Sequence, residues 1–186
     1  MRDTPQHIRY GMCFLFTVRA DGDLGILGDA PVTREMLSRF RVRESRLLSA
    51  SLANLQREEP PCIMPLGDFT EKLRLSLPEE DSCLFPHRED KRVNELFVLT
   101  NHSAYLGAGV LLYPGLIDTL HRRFGDFYLL PCSIHELIIL PLRTGAGPQR
   151  LRRLIRQVNA ASEDRFLVLS DELYLCTAGE GLRICS

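Results

Sequence analysis

No apolar run in this sequence approaches the ~20 residues that a membrane-spanning helix needs. The N-terminus, MRDTPQHIRY, is polar. The GMCFLF patch behind it is too short for the core of a signal peptide and is followed by no small-residue cleavage site. These absences lead us to expect a cytoplasmic protein with no membrane partner. No two of the six cysteines, Cys13, Cys62, Cys83, Cys132, Cys176 and Cys185, are spaced Cys-x-x-Cys. Neither a structural zinc site nor a redox pair therefore has a local signature. With no export signal, all six thiols are expected to be reduced. Charge of either sign is also not in excess: 23 basic against 24 acidic residues, net −1. Global attraction to nucleic acid or to an anionic membrane is not an argument here.

Cofactor and metal motifs are absent too. TGAGPQR (144–150) places glycines before a helix but has no Walker lysine. His87, His102, His121 and His135 are far apart, and only His135 has an adjacent carboxylate. His-Glu without a second histidine four residues on is not a zinc-protease helix. We expect no metal site and no cofactor. Internal repeats and low-complexity tracts are also lacking.

What the chain does have is core-forming material. Its 186 residues are 45% hydrophobic and 25% charged, which suits one domain with a smaller appendage. The pattern divides near residue 80. Residues 1–80 read as a hairpin and a helical part. A strand over 8–18 meets the Asp21-Gly22 turn and a short return strand. A helix follows, with Thr33 as N-cap and Leu37, Phe40, Leu47, Leu48 and Leu52 at helical spacing, stopped by Pro60-Pro61. LGDFTEKLRL is a further helical segment, and 81–93, rich in charge and proline, is an exposed connection.

Residues 94–186 are more regular. Strands are expected over 94–101, 104–113, 126–132 and 135–142, with one or two more within 165–177. Pro131 and Pro141 belong at strand ends, since proline donates no ladder bond. A helix over 114–125 stops at Gly125. In the helix over 147–162, Leu151, Leu154, Ile155 and Val158 make the stripe expected to be buried. Short links favour antiparallel pairing. The expected fold is α+β: a mainly antiparallel sheet with helices packed on it, behind a small N-terminal hairpin-plus-helix part.

Several segments together resemble an uncharacterised bacterial family, domain of unknown function 5688. They are Leu99-Thr100-Asn101, Gly107-Ala108, Tyr113-Pro114-Gly115, Leu130-Pro131-Cys132-Ser133-Ile134-His135-Glu136, and Leu169-Ser170-Asp171 with Tyr174. The resemblance is specific over 94–175 and extends more weakly back through VTREML and IMPLGDFTEKL. Cys132 stands where the family pattern has serine, and the chain starts late relative to that pattern. The resemblance supports the fold and implies no activity.

Two constellations carry the functional expectations. The first is the knot Cys132, Ser133, His135 and Glu136. A hydrolase would use Cys132 or Ser133 as nucleophile and His135 as base, with Glu136 or Asp171 orienting it. A pocket joining His135 to Asp171 or to Asn101 would favour that reading. Ser133 and His135, however, are two apart, about 7 Å between Cα atoms on a strand. The simpler reading makes Ser133 a turn residue that bonds backbone and lets His135 and Glu136 open the next strand. The second constellation is basic. Arg150, Arg152, Arg153 and Arg156 share one helix, with Arg143 before it. They suit a solvated face, a dock for an acidic protein surface, or a phosphate backbone, although no interleaved aromatics offer base stacking. With Asn101, these arginines are the candidate binding residues. The expectation is a bacterial or mobile-element adaptor, regulator or inhibitor that binds another protein. The alternatives are the small hydrolase and a nucleic-acid binder using helix 148–161.

Overall fold

The structure, a computed structural model, describes residues 3–21, 27–76, 95–162 and 164–185, with backbone alone at 19–21, 27–29 and 73–76. Contacts divide the chain into two compact units, Met1–Glu58 and Glu59–Ser186.

In the first unit, β1 (Gln6–Arg9) pairs with β2 (Met12–Leu15), Arg9 opposite Met12. Tyr10 and Gly11 between them both have positive φ, 55° and 74°, as a two-residue primed hairpin turn requires. That turn splits what the sequence presented as one strand over 8–18. β3 (Thr17–Asp21) pairs with β4 (Leu27–Pro31); the expected turn at Asp21-Gly22 runs into residues outside the described ones. Thr33 caps α1 (Arg34–Phe40) as expected, its hydroxyl oxygen accepting from the Met36 amide at 3.2 Å. The single helix expected to follow is two. Arg41 adopts φ 55°, and the Val42 amide returns to the Leu37 carbonyl at 2.9 Å, which closes α1. A 3-10 turn (Glu44–Arg46) then leads into α2 (Leu47–Glu58). Phe40 is 66% exposed, and among the described residues here Pro5, Met12, Val32 and Leu37 are buried.

The second unit is a six-stranded sheet. β5 (Pro61–Pro65) and α3 (Leu66–Ser76) precede β6 (Phe97–Asn101). Then come α4 (Leu116–Phe124), β7 (Phe127–Leu130), β8 (Leu137–Pro141), α5 (Pro148–Ala161), β9 (Tyr174–Thr177) and β10 (Gly181–Ile184). The strand order is β10-β9-β7-β8-β6-β5, and every pair is antiparallel. β5 is an edge strand bounded by Pro61 and Pro65, where missing donors cost nothing. It pairs with β6, so the division falls at Glu58/Glu59, whereas the sequence pattern changes near residue 80. The expected connection over 81–93 lies outside the described residues.

Strand alternation explains why the central strands read as unbroken apolar runs. Tyr128, Leu130 and Leu140 pack with Leu151 and Ile155 of α5 on one face. Phe97, Leu129 and Ile139 share the other face by register, where the Phe97 and Phe124 rings lie 4.7 Å apart. α4 and α5 thus cover opposite faces, and Phe127, Leu129, Leu137 and Ile139 are fully buried.

Two expectations fail in this unit. Residues 104–113 are not a strand: Gly107–Leu112 form a 3-10 helix. Its entry is set by Ala104 (φ 55°) and Leu106 (φ 51°), conformations that interrupt any ladder. Leu154 and Val158 are not buried; they are 47% and 52% exposed, while Leu151, Ile155 and Asn159 face inward. The sheet covers one narrow row of α5, spaced i, i+4, i+8, and leaves the adjoining row in water.

Candidate functional site

Residues 131–136 join β7 to β8. Pro131 ends β7 and Ser133 shapes the turn. Its hydroxyl oxygen accepts from the His135 amide (2.9 Å) and the Glu136 amide (3.2 Å), and its own amide donates to the Glu136 carbonyl (3.2 Å). The turn is then tied to three other segments. The Ile134 amide donates to Leu167 O (2.9 Å), the Ala108 amide to Ile134 O (3.1 Å), and Thr100 Oγ1 to His135 O (2.7 Å).

His135 Nδ1 accepts from the Leu106 amide at 3.0 Å. A neutral imidazole has one acceptor nitrogen and one N–H. With Nδ1 accepting, the proton sits on Nε2. Any general base at this ring would need the lone pair that holds Leu106. The Tyr105 ring lies 5.4 Å from the imidazole and is half exposed. Asn101 is buried, its Nδ2 donating to Tyr105 O (2.8 Å) and its Oδ1 accepting from Ser103 Oγ (3.3 Å). These bonds hold Ala104 and Leu106 in a left-handed conformation that costs about 1–3 kcal/mol per residue. Gly107 completes the clamp. A Cβ there would overlap Thr100 Oγ1 and the His135 carbonyl oxygen and lie 2.8 Å from Asn101 N.

Of the remaining members of the expected hydrolase set, Cys132 is shielded by burial and Asp171 is bonded to another element. Burial pushes the Cys132 thiol up to about 12, and the Glu136 carboxylate adds to the rise, so a thiolate is not available near neutral pH. Asp171 Oδ1 accepts from Asn159 Nδ2 at 2.7 Å, and the same amide donates to Ser170 O at 3.1 Å. Asn159, on the buried row of α5, was missed by the sequence reading. Its signal was present: it continues the i, i+4 series from Leu151 and Ile155, where a polar residue needs partners.

The arginines are brought together on α5. Arg152 is half-buried and its Nη2 donates to Cys185 O. Arg150, Arg153 and Arg156 are exposed. Gln149, Arg152, Arg153, Arg156, Gln157 and Ala160 line a shallow open groove of about 530 Å³. Arg150, Leu154 and Val158 form the next i, i+4 row of the helix. At the end of α5, Arg165 Nη1 donates back to Asn159 O (3.2 Å), and the following Phe166 is 89% exposed.

A second cleft, of about 350 Å³, lies between α4 and the β9–β10 hairpin. There His121 Nε2 meets Asp126 Oδ1 at 2.9 Å. Burial, reinforced by Asp126 and Asp118, pushes the Cys176 thiol up to about 11. Among the described residues no group of three or more His, Cys, Asp or Glu is placed to hold a metal ion, and no helix is long and apolar enough to cross a membrane. Cys13, Cys62, Cys132 and Cys176 are free thiols, Cys185 is buried, and Cys83 lies outside the described residues.

Residues 3–177 match the model of a family of unknown function, DUF5688. Neither the curated proteins nor the solved structures contain a match. Three of the segments that carry the resemblance meet in space: Thr100, Asn101, Gly107, Ser133 and His135 bond or pack against one another at the end of β6. With nearly the whole chain inside the match, the protein belongs to the DUF5688 family.

Proposed function

We propose that this is a non-enzymatic binding protein, working in the bacterial cytoplasm as an adaptor, regulator or inhibitor, and that α5 presents its contact surface. One observation carries the reading. Leu154 and Val158 stand half exposed on an outward row of an otherwise well-packed helix, with Phe166 89% exposed at its end. Apolar side chains grouped on a rigid element, rimmed by arginines, have the make-up of a protein interface. The Cys132–Glu136 turn supports the same choice from the other side. Ser133 and His135 use their polar atoms to hold backbone, which leaves the hydrolase alternative without a poised nucleophile and base. The nucleic-acid alternative rests on the arginines alone.

The test is capture from the native host, read by mass spectrometry, with the natural protein and with the Leu154→Asp/Val158→Asp variant. Both positions are exposed, so the variant should fold. The reading expects a defined set of proteins to be held by the natural chain and lost by the variant. An unchanged set, or nucleic acid as the main captured species, would overturn it.

A further inference from the structure

The basic groove on α5 gathers several arginines on one helix face without an ion pair among the described residues; Arg122 and Arg123 of α4 have none either, but three arginines elsewhere are neutralised. Arg34 pairs with Glu44, Arg57 with Glu58 and Arg183 with Glu180. Arg153 and Arg156 have no acidic partner among the described residues, and neither does their neighbour Arg150. Arg152 is pinned by the Cys185 carbonyl, which fixes its guanidinium at the groove wall. In a chain of net charge −1, this is a local concentration of positive charge left unneutralised.

We propose that the groove binds the side-chain carboxylates of an acidic segment of a partner protein. The inference rests on the binding reading above and names the chemistry of the partner. Guanidinium groups pair with carboxylates through parallel N–H donors, and Gln149 and Gln157 add neutral donors at the rim. Arg152 and Arg156 are four apart, about 6 Å along the axis at 1.5 Å per residue, matching glutamates four apart on a facing helix. Two features select a peptide over a nucleic-acid strand. No aromatic residue lines the groove, so bases find no stacking platform. Leu154 and Val158, on the row that adjoins Arg153 and Gln157 rather than Arg152 and Arg156, offer apolar contact, which a peptide can use and a phosphate backbone cannot.

The experiment uses the full chain and fluorescence anisotropy with three labelled probes: a helical peptide with glutamates four apart, its glutamine counterpart, and a single-stranded oligonucleotide of equal charge. The glutamate peptide is expected to bind saturably and at least about tenfold more tightly than either other probe. Arg153→Gln/Arg156→Gln should weaken it about tenfold, in keeping with modest exposed charge pairs, while Arg153→Lys/Arg156→Lys, which keeps the charge but not the paired donors, should fall between the two. Tighter binding of the oligonucleotide, no saturable binding of the glutamate peptide, or indifference to the glutamine substitutions overturns the proposal. Host-partner capture separates the two readings. If it needs Leu154 and Val158 but not Arg153 and Arg156, the carboxylate groove falls and the binding reading stands. If it needs neither pair, both fall.

Discussion

At His135 one lone pair decides between two kinds of residue. Nδ1 holds the Leu106 amide, so His135→Ala leaves that amide unpaired beside a left-handed backbone. The expected loss is about 1–3 kcal/mol, the cost of an orphaned donor, read as a lower urea midpoint. A catalytic histidine would instead lose an activity and keep its stability. Gly107→Ala should be worse, about 3 kcal/mol or more, because the new methyl meets backbone atoms that cannot give way; an unchanged midpoint would refute the clamp. The thiols give a pH dependence. Cys132 and Cys176 sit at about 12 and about 11 in the folded chain against an ordinary 9.0. Above pH 9 the folded protein therefore holds more protons than the unfolded one, so stability is full below that point and falls as pH rises through the window. Tyr113, raised to about 12 from 10.0, adds to the fall only above pH 10. Cys132→Ser should be silent at neutral pH and flatten the decline between pH 9 and 10. An identical slope in the variant would show that the buried thiol does not titrate this way.

Among the elements, α5 separates what local pattern can and cannot convey. The sequence shows an amphipathic helix there, and the helix is present. It does not show how much of the apolar stripe the sheet will cover. Leu151 and Ile155 are covered and Leu154 and Val158 are not, because that depends on Tyr128, Leu130 and Leu140 in distant strands and on Leu173 just before β9. Leu151→Ala should cost about 2–5 kcal/mol by emptying a core site. Leu154→Ala should stay within about 0.5 kcal/mol, as exposed substitutions do. Equal shifts of the unfolding midpoint would reject the assignment of faces. The failed strand at 104–113 has a similar cause. Its apolar run reads locally as strand, but Ala104 and Leu106 are turned by bonds to Asn101 and His135, the latter 29 residues on. β6, β7, β8 and α4 were legible because their apolar spacing and their proline and glycine stops are local. The knot's chemistry was legible in Ser133, a turn residue by type. It was not legible in Asp171, whose partner Asn159 comes from another element.

For the whole molecule, the two units differ in what can hold them together. Glu59–Ser186 contains the entire six-stranded sheet and the helices covering both its faces. Among the described residues Met1–Glu58 buries Pro5, Met12, Val32 and Leu37, a small core. Expressed alone, residues 59–186 should unfold cooperatively in urea, and residues 1–58 should show no cooperative transition; the reverse would contradict the division. The central claim is that α5 meets a partner protein through its outward row. A photo-crosslinking residue placed at 154 in the native host tests it most directly, with the same residue at the exposed Arg122 of α4 as control. The account predicts a defined heavier adduct from position 154 and none from 122. No adduct at 154, or the same adducts from both positions, would contradict it.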